Sequence, residues 1–222
     1  MIKINDRLKK ISSFVDHKSS GVIDVGCDHA LLDIYLKEKY KDLRIVASDI
    51  GDGPLLCARS NLKKYGMVKK IELVKMNGIE KIDEYIDTIV ISGMGTESII
   101  NILIKDINKL NRIKKLIISS NNKYFLLRRE LSNIGFIINR ESIVYEDDKY
   151  YIIEEFVKGE KNYTYKELYF GPYLLRNKND LFYKYYGLKK IKLIALLDEL
   201  PKEKINKINI INEEIKLLGS EI

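Results

Sequence analysis

The sequence predicts an α/β fold: a mostly parallel sheet wound through crossover helices, closed by an antiparallel hairpin and followed by a helical hairpin. Three features point to it. From Gly21 onward short β-rich apolar runs alternate with amphipathic helical stretches, the pattern of parallel strands joined by crossover helices. After Gly135 two longer β-rich runs flank Glu146-Asp147-Asp148-Lys149, a polar link suited to a hairpin turn. Beyond Lys158 the composition shifts to Tyr, Lys, Asn and Ile, with apolar residues at steps of three and four. The expected division is a domain over 1–158 and an extension over 159–222, which suits 222 residues, enough for one full α/β domain and a small accessory element.

Taken in order, Leu8, Ile11 and Val15 lie at helical spacing and predict a leading helix within Ile4 to Val15 that covers the sheet edge or the ligand mouth. Strands follow at Val22 to Val25, Arg44 to Ser48, Ile71 to Val74, Thr88 to Ile91 and Leu116 to Ser119, and the hairpin arms at Phe136 to Tyr145 and Tyr150 to Val157. Helices are expected over Leu31 to Lys39, Leu55 to Tyr65, Ile79 to Tyr85, Glu97 to Leu110 and Tyr124 to Ile134. In the tail Gly171-Pro172 marks a break and Pro201 suits the first residue of a new helix. Ile191, Ile194 and Leu197 are expected to face Ile205, Ile208, Ile211, Ile215 and Leu218, two helices packing on each other in a monomer.

The chain is 45% hydrophobic and 32% charged, ample for a core and unlike a disordered protein. Its two cysteines, Cys27 and Cys57, have no pairing spacing and no companion histidine cluster, so no disulfide framework or metal site is expected and a reducing cytoplasm fits. The first residues carry no signal-peptide apolar run, and no stretch reaches the about 18 residues that span a bilayer, so no membrane association is expected. Net charge is +7, and the segment from Lys105 to Arg140 alone carries nine basic residues against Asp106 and Glu130, also a net of +7. A polyanionic partner fits that bias.

The sharpest local pattern is Val22-Ile23-Asp24-Val25-Gly26-Cys27-Asp28-His29-Ala30, a strand ending in an acidic, glycine-containing turn that leads into a helix. Gly26 lets a ligand approach the backbone, and the helix N-terminus offers N–H groups to a carboxylate. Asp24 and Asp28 favour a ligand's positive charge. That combination suits the methionine part of S-adenosylmethionine. Asp49, ending the second strand, can accept from both ribose hydroxyls, Ile50 can cover an adenine face, and Asn77 with Gly78 can read the adenine edge. Singly, each is commonly structural; three in register at successive strand ends favour a ligand. A nicotinamide site needs G-x-G-x-x-G, but only Gly26 is present, and no phosphate loop occurs. The ligand is therefore a nucleoside without a phosphate chain, bound to a Rossmann-like class I methyltransferase sheet.

The fourth strand runs into Ser92-Gly93-Met94-Gly95, where Gly93 completes the expected cofactor site and the target atom is held. Neither an Asp/Asn-Pro-Pro-aromatic motif nor a cysteine nucleophile stands there. Together Asp24-Val25-Gly26-Cys27-Asp28-His29-Ala30, Asp52-Gly53-Pro54, Asn77-Gly78, Gly93-Met94-Gly95 and Asn121 resemble the bacterial tRNA (adenine-22-N1)-methyltransferase family, from about Arg7 to Pro172. The resemblance implies methylation of N1 of adenine 22 in tRNA and a coiled-coil-like C-terminal extension. The chain departs from the family at Ser119-Ser120-Asn121, where Gln-Pro-Asn is usual, and at Asp49, often Glu. Adenine N1 carries its own lone pair, so no base is required. His29 is assigned to cofactor binding and Asp28 to stabilising the cationic product. Expected RNA contacts are Arg112, Lys114, Lys115, Lys123, Arg128, Arg129, Lys189 and Lys190. The alternatives are a methyltransferase acting on a non-RNA substrate, marked by RNA-independent turnover, and a catalytically silent RNA-binding module, marked by failure to bind S-adenosylmethionine.

Overall fold

A computed structural model describes residues 2–222. Helix α1 (Asp6–Ser12) precedes a seven-stranded sheet of β1 (Gly21–Val25), β2 (Arg44–Asp49), β3 (Glu72–Lys75), β4 (Thr88–Ser92), β5 (Lys115–Ser119), β6 (Phe136–Glu146) and β7 (Lys149–Lys158). The strand order is β3-β2-β1-β4-β5-β7-β6. The first five strands are parallel, and β7 joins β5 and β6 in antiparallel pairs. The helices are α2 (Leu31–Lys39), α3 (Asp52–Lys64), α4 (Thr96–Lys105) and α5 (Tyr124–Asn133). β1 is buried along its whole length, as a central strand covered on both faces requires. The chain divides into a unit ending at Asn162 and a unit Tyr163–Ile222.

Two expected helices behave differently. Ile79 to Tyr85 forms turns, although Ile79, Ile82 and Ile86 are all buried as helical spacing suggested. Its carbonyls are satisfied from outside: Lys109 Nζ donates to the Ile79 and Glu80 carbonyls and Arg112 Nη2 to that of Ile82 at 2.7 Å. The helix expected through Leu110 stops at Lys105, and a 3-10 turn, Ile107–Arg112, carries both donors.

In the second unit α6 (Tyr165–Phe170) and α7 (Pro172–Asn177) precede the hairpin of α8 (Asp180–Glu199) and α9 (Ile205–Gly219). Pro201 lies in the turn before α9 rather than at its first position, with its carbonyl accepting from Lys204 N–H. The packed seam also differs from the expected stripe. Ile191 and Ile205 are each 63% exposed, while Phe182, Tyr186, Ile211 and Leu218 are buried. Large aromatic rings take the interior: Phe170 meets Phe182 and Tyr186, and Tyr186 donates its hydroxyl to the Phe170 carbonyl at 2.9 Å. Such rings bury more area than isoleucine and dominate the packing.

Arg128 of α5 is fully buried. Its Nε meets Glu154 of β7 at 2.6 Å and its Nη2 meets Glu141 of β6 at 3.0 Å. This corrects its assignment as an RNA contact, because a guanidinium enclosed between helix and hairpin has no path to a phosphate. Removing the cation leaves two buried carboxylates unneutralised, so Arg128→Ala is expected to cost about 3–5 kcal/mol in urea unfolding; a loss under about 1 kcal/mol would show that the triad contributes no more than a surface pair.

Candidate functional site

The parallel strands all end at one rim, and the order reverses between β1 and β4, where α/β sheets open a crevice for ligands. At β1's end Gly26 has φ +78° and Asp28 φ +48°, a left-handed turn that glycine adopts freely and aspartate tolerates. Gly26 and Cys27 donate their N–H groups to the Ser48 carbonyl at 2.8 and 2.9 Å, which fastens this turn to β2. A methyl added at Gly26 would fall 2.3 Å from Met94 Cε. Since that methyl ends a flexible side chain, the backbone angle is the firmer reason for glycine here. Ala30, which precedes α2, supplies no side-chain cap.

Asp49 ends β2, with Oδ1 accepting from Gly51 N–H at 2.8 Å and its carbonyl accepting from Met76 N–H. Ile50 beside it is 63% exposed, an apolar surface at the mouth. Asn77 is exposed. Gly78 has φ +64°, and a Cβ there would lie 2.9 Å from Ile102 of α4, so this turn packs closely on that helix. Gly93 has φ +81° and is exposed at the end of β4. Asn121 binds it from the β5 side, donating Nδ2 to the Gly93 carbonyl at 2.8 Å while Asn121 N–H reaches the Met94 carbonyl. Asp28 and His29 face each other at 3.4 Å, both well exposed. Thus the loops bearing Asp24, Gly26, Asp28, His29, Asp49, Ile50, Asn77, Gly78 and Gly93 all belong to one rim.

Sequence reasoning missed Asp33, in the first turn of α2. It is fully buried, as is nearly all of Asp24, and the two carboxyls lie together under the Gly26 turn. Burial pushes Asp24 up to about 7, with Asp33 and Arg7 opposing the rise. Burial and the charge of Asp24 hold Asp33 well above the ordinary carboxylate range. Both carboxyls therefore hold a proton more firmly than exposed carboxyls do, and they compete for it. The only sequence signal was an acid among Leu31, Leu32 and Ile34. Cys27 is buried and its thiol is pushed up by that burial and by the adjacent carboxyls, which suits packing.

The expected RNA contacts do not come together. Arg112 and Lys114 precede β5 and Lys115 begins it, at the end of the parallel sheet away from the rim. Arg112 holds the Ile82 carbonyl, Lys114 pairs with Asp87 at 3.1 Å, and Lys115 is mostly buried between Asp16 and Glu155. Strand polarity carries these three away from the mouth, though Arg112 and Lys114 are exposed there. Lys123, just past β5, is at the rim and exposed, paired with Glu97 at 2.6 Å. Arg129 is half exposed beside Glu130. In the second unit Lys189 pairs with Glu214 at 2.8 Å and lies over the Tyr169 ring, and Lys190 is half-buried near Gly219. Among the described residues no group of three His, Cys, Asp or Glu could hold a metal ion, and no helix is long and apolar enough to cross a membrane.

Comparison with known proteins adds an independent line. Residues 22–220 match a family model described as tRNA (adenine(22)-N(1))-methyltransferase. The Bacillus subtilis tRNA (adenine(22)-N(1))-methyltransferase is 29% identical over 190 residues, 82% of this chain and 79% of that protein. A Streptococcus agalactiae protein of the NADB-Rossmann superfamily superposes with a TM-score of 0.92 at 32% identity, over 99% of this chain and 97% of its own. M. capricolum TrmK in complex with the cofactor product S-adenosyl-homocysteine superposes with a TM-score of 0.86 at 30% identity, over 98% and 96%.

The carboxyl pair makes stability pH-dependent. Both groups hold protons more tightly folded than unfolded, so the native state binds more protons between about pH 4 and about 7, and stability falls as pH rises through that window. An amide at position 33 donates to Asp24 and removes the competition for a proton. Asp33→Asn is expected to gain roughly 1–3 kcal/mol at pH 8, read as a higher melting temperature, with a shallower decline from pH 5 to pH 8. Parallel pH profiles for variant and wild type would exclude the competition for a proton.

Proposed function

The chain belongs to the tRNA (adenine(22)-N(1))-methyltransferase family, and from that membership we propose how its rim performs the reaction. The enzyme methylates N1 of adenine 22 in tRNA with S-adenosylmethionine as donor. The single observation that carries the site assignment is the buried Asp24, whose Oδ1 has no hydrogen-bond partner, beneath the side-chain-free Gly26 where the strand order reverses. An acceptor left without a donor in the interior is costly, and a cationic ligand resting on the Gly26 turn offsets that cost. The residues present fit the cofactor.

When bound, S-adenosylmethionine supplies an electrophilic methyl group on a sulfonium. Asp24 and Gly26 hold its methionine part, Asp49 accepts from the ribose hydroxyls, Ile50 covers the adenine, and Asn77 reads the adenine edge. Gly78 shapes that turn by letting Ile102 approach. Gly93, with no side chain, leaves room for the target base, and Asn121 fixes the loop that bears it. His29, 54% exposed, is a cofactor neighbour. No residue has to remove a proton, because N1 attacks through its own lone pair. Alignment therefore carries most of the rate, roughly 7–11 kcal/mol in well-oriented systems. Asp28, exposed at the mouth, stabilises the positive charge that develops on the methylated ring.

The target N1 must be unpaired and drawn out of its stack before it can meet the methyl. Lys123 and Arg129 are the exposed candidates in the first unit that follow β5, and Lys114 is exposed before it. The extension over 159–222 is proposed to help hold tRNA, with Lys189 and Lys190 as its contacts. The enzyme acts in the cytoplasm as a monomer.

Labelled S-adenosylmethionine is expected to transfer its methyl to a tRNA transcript with A22 and not to one with G22; equal labelling of both would remove the site assignment. Asp28→Asn is expected to lower turnover at least about tenfold with calorimetric affinity for the cofactor unchanged. Full turnover would show that its charge plays no part.

A further inference from the structure

We infer that the flank of the sheet beside β3 makes a second contact with tRNA: a basic cavity at the base of β2, joined to the mouth along one face of α3, receives backbone phosphates beyond the target nucleotide. The inference rests on the tRNA reading above and concerns a surface at the opposite end of β2 from Asp49.

From Arg59 to Lys70 the chain holds five cations and no acid. Folding bends that run around a cavity of about 580 Å³ between the ends of α2 and α3 and the starts of β2 and β3. Six cations line it, Lys37, Arg44, Arg59, Lys63, Lys69 and Lys70, against Asp42 and Glu72. A neighbouring cavity of about 530 Å³ shares Lys37 and Lys70 with it. The concavity thus has one sign over much of its wall, and such a wall concentrates anions.

The two acids do not neutralise it. Glu72 is held by Arg44 at 2.8 Å, which also meets Asp83 at 2.7 Å, and Lys37 donates to the Leu43 carbonyl at 2.7 Å. Arg59, Lys63, Lys69 and Lys70 are all exposed, and none of them forms an ion pair among the described residues. Helix C-termini favour lysines in their last turns, which accounts for Lys37 and Lys63. It does not account for Arg59, a turn earlier, or for Lys69 and Lys70 beyond the helix.

The cations are strung out and not gathered to a point. Asp52, Leu56, Arg59 and Lys63 recur at steps of four and three, so they share one exposed face of α3. That helix of 13 residues spans about 20 Å from the rim to the cavity. At its rim end Asp52 pairs with Lys75 of β3 at 2.7 Å, both well exposed, and a pair so exposed holds weakly enough for a phosphate to displace the acid. A line of separated cations meets phosphates that repeat along a backbone, whereas a single small anion needs donors that converge. The RNA has to be gripped outside the mouth while its target base is drawn from the stack, and this flank reaches the mouth where Asp49 stands beside Lys75.

Acetylation of lysines on the full chain, read by mass spectrometry with tRNA, with inorganic pyrophosphate and with neither, tests the location. Transfer RNA is expected to protect Lys63, Lys69 and Lys70. The triple variant Arg59→Gln, Lys63→Gln, Lys70→Gln is expected to bind tRNA at least about tenfold more weakly near physiological salt, with a slope of log affinity against log salt shallower by about two to three. Its affinity for S-adenosylmethionine and its kcat at saturating tRNA are expected to stay at wild-type values. Lysines left fully reactive by tRNA, or a variant with the wild-type salt slope, would overturn the inference. Protection by pyrophosphate alone would make the cavity a small-anion site and overturn it too. Should the triple variant fold poorly, the wild-type acetylation pattern decides. Those results leave methylation of A22 standing and remove this contact alone; wild-type protein that labelled no A22 transcript would overturn the function reading, and this inference with it.

Discussion

Five strands run in one direction, and every property of the site depends on that. Parallel strands joined by crossovers point all their carboxyl ends to one rim, so the loops that leave those ends gather there. The reversal of order between β1 and β4 keeps the loops on either side from closing over one another. Neighbouring strand ends are then joined by backbone bonds: Gly26 and Cys27 to Ser48, Met76 to Asp49, Gly93 to Ser119. The crevice is built from strand ends tied to one another by backbone hydrogen bonds, which suits a reaction that depends on alignment.

The electrostatics of the rim follow from the same constraint. A buried strand end cannot solvate a carboxylate, so Asp24 under the Gly26 turn is pushed up by burial and competes with Asp33 for a proton. A donor nucleoside bearing an ammonium and a sulfonium is the ligand this arrangement favours. Arg7 supplies the opposite sign from α1, a separate element that has to dock beside β6 and β7 to bring it there.

The strands were legible because alternation and apolar runs depend on neighbours a few residues apart; each expected strand lies within a residue or two of the observed one. The strand-end motifs were legible for the same reason. What failed depends on partners far along the chain. Ile79, Ile82 and Ile86 have helical spacing and are buried, but donors from Lys109 and Arg112 let the segment satisfy its carbonyls as turns. In the tail isoleucines at steps of three and four suggested the seam, yet Phe170, Phe182 and Tyr186 hold it and leave Ile191 outside. Asp33 and Arg7 belong to no local pattern at all. Their role comes from what folding sets against them.

The charge-rich window from Lys105 to Arg140 shows the limit most clearly. A count along the chain adds charges that the sheet separates: Lys114 and Lys115 stand at the start of β5 and Lys123 just beyond its end. It also ignores neutralisation, since Lys115 and Arg128 are enclosed with Glu155, Glu154 and Glu141. Enclosed pairs cannot exchange a carboxylate for a phosphate, because breaking them leaves a charge in the interior at a cost of about 3–5 kcal/mol. The exposed pair of Lys123 and Glu97 differs. Its separation costs about 0–1 kcal/mol, so a phosphate arriving at the mouth can displace Glu97 almost freely. Enclosure therefore removes Lys115 and Arg128 from the candidates for RNA contact, and strand polarity rather than exposure sets Lys123, beside the Gly93 loop, ahead of the exposed Lys114 at the other end of β5.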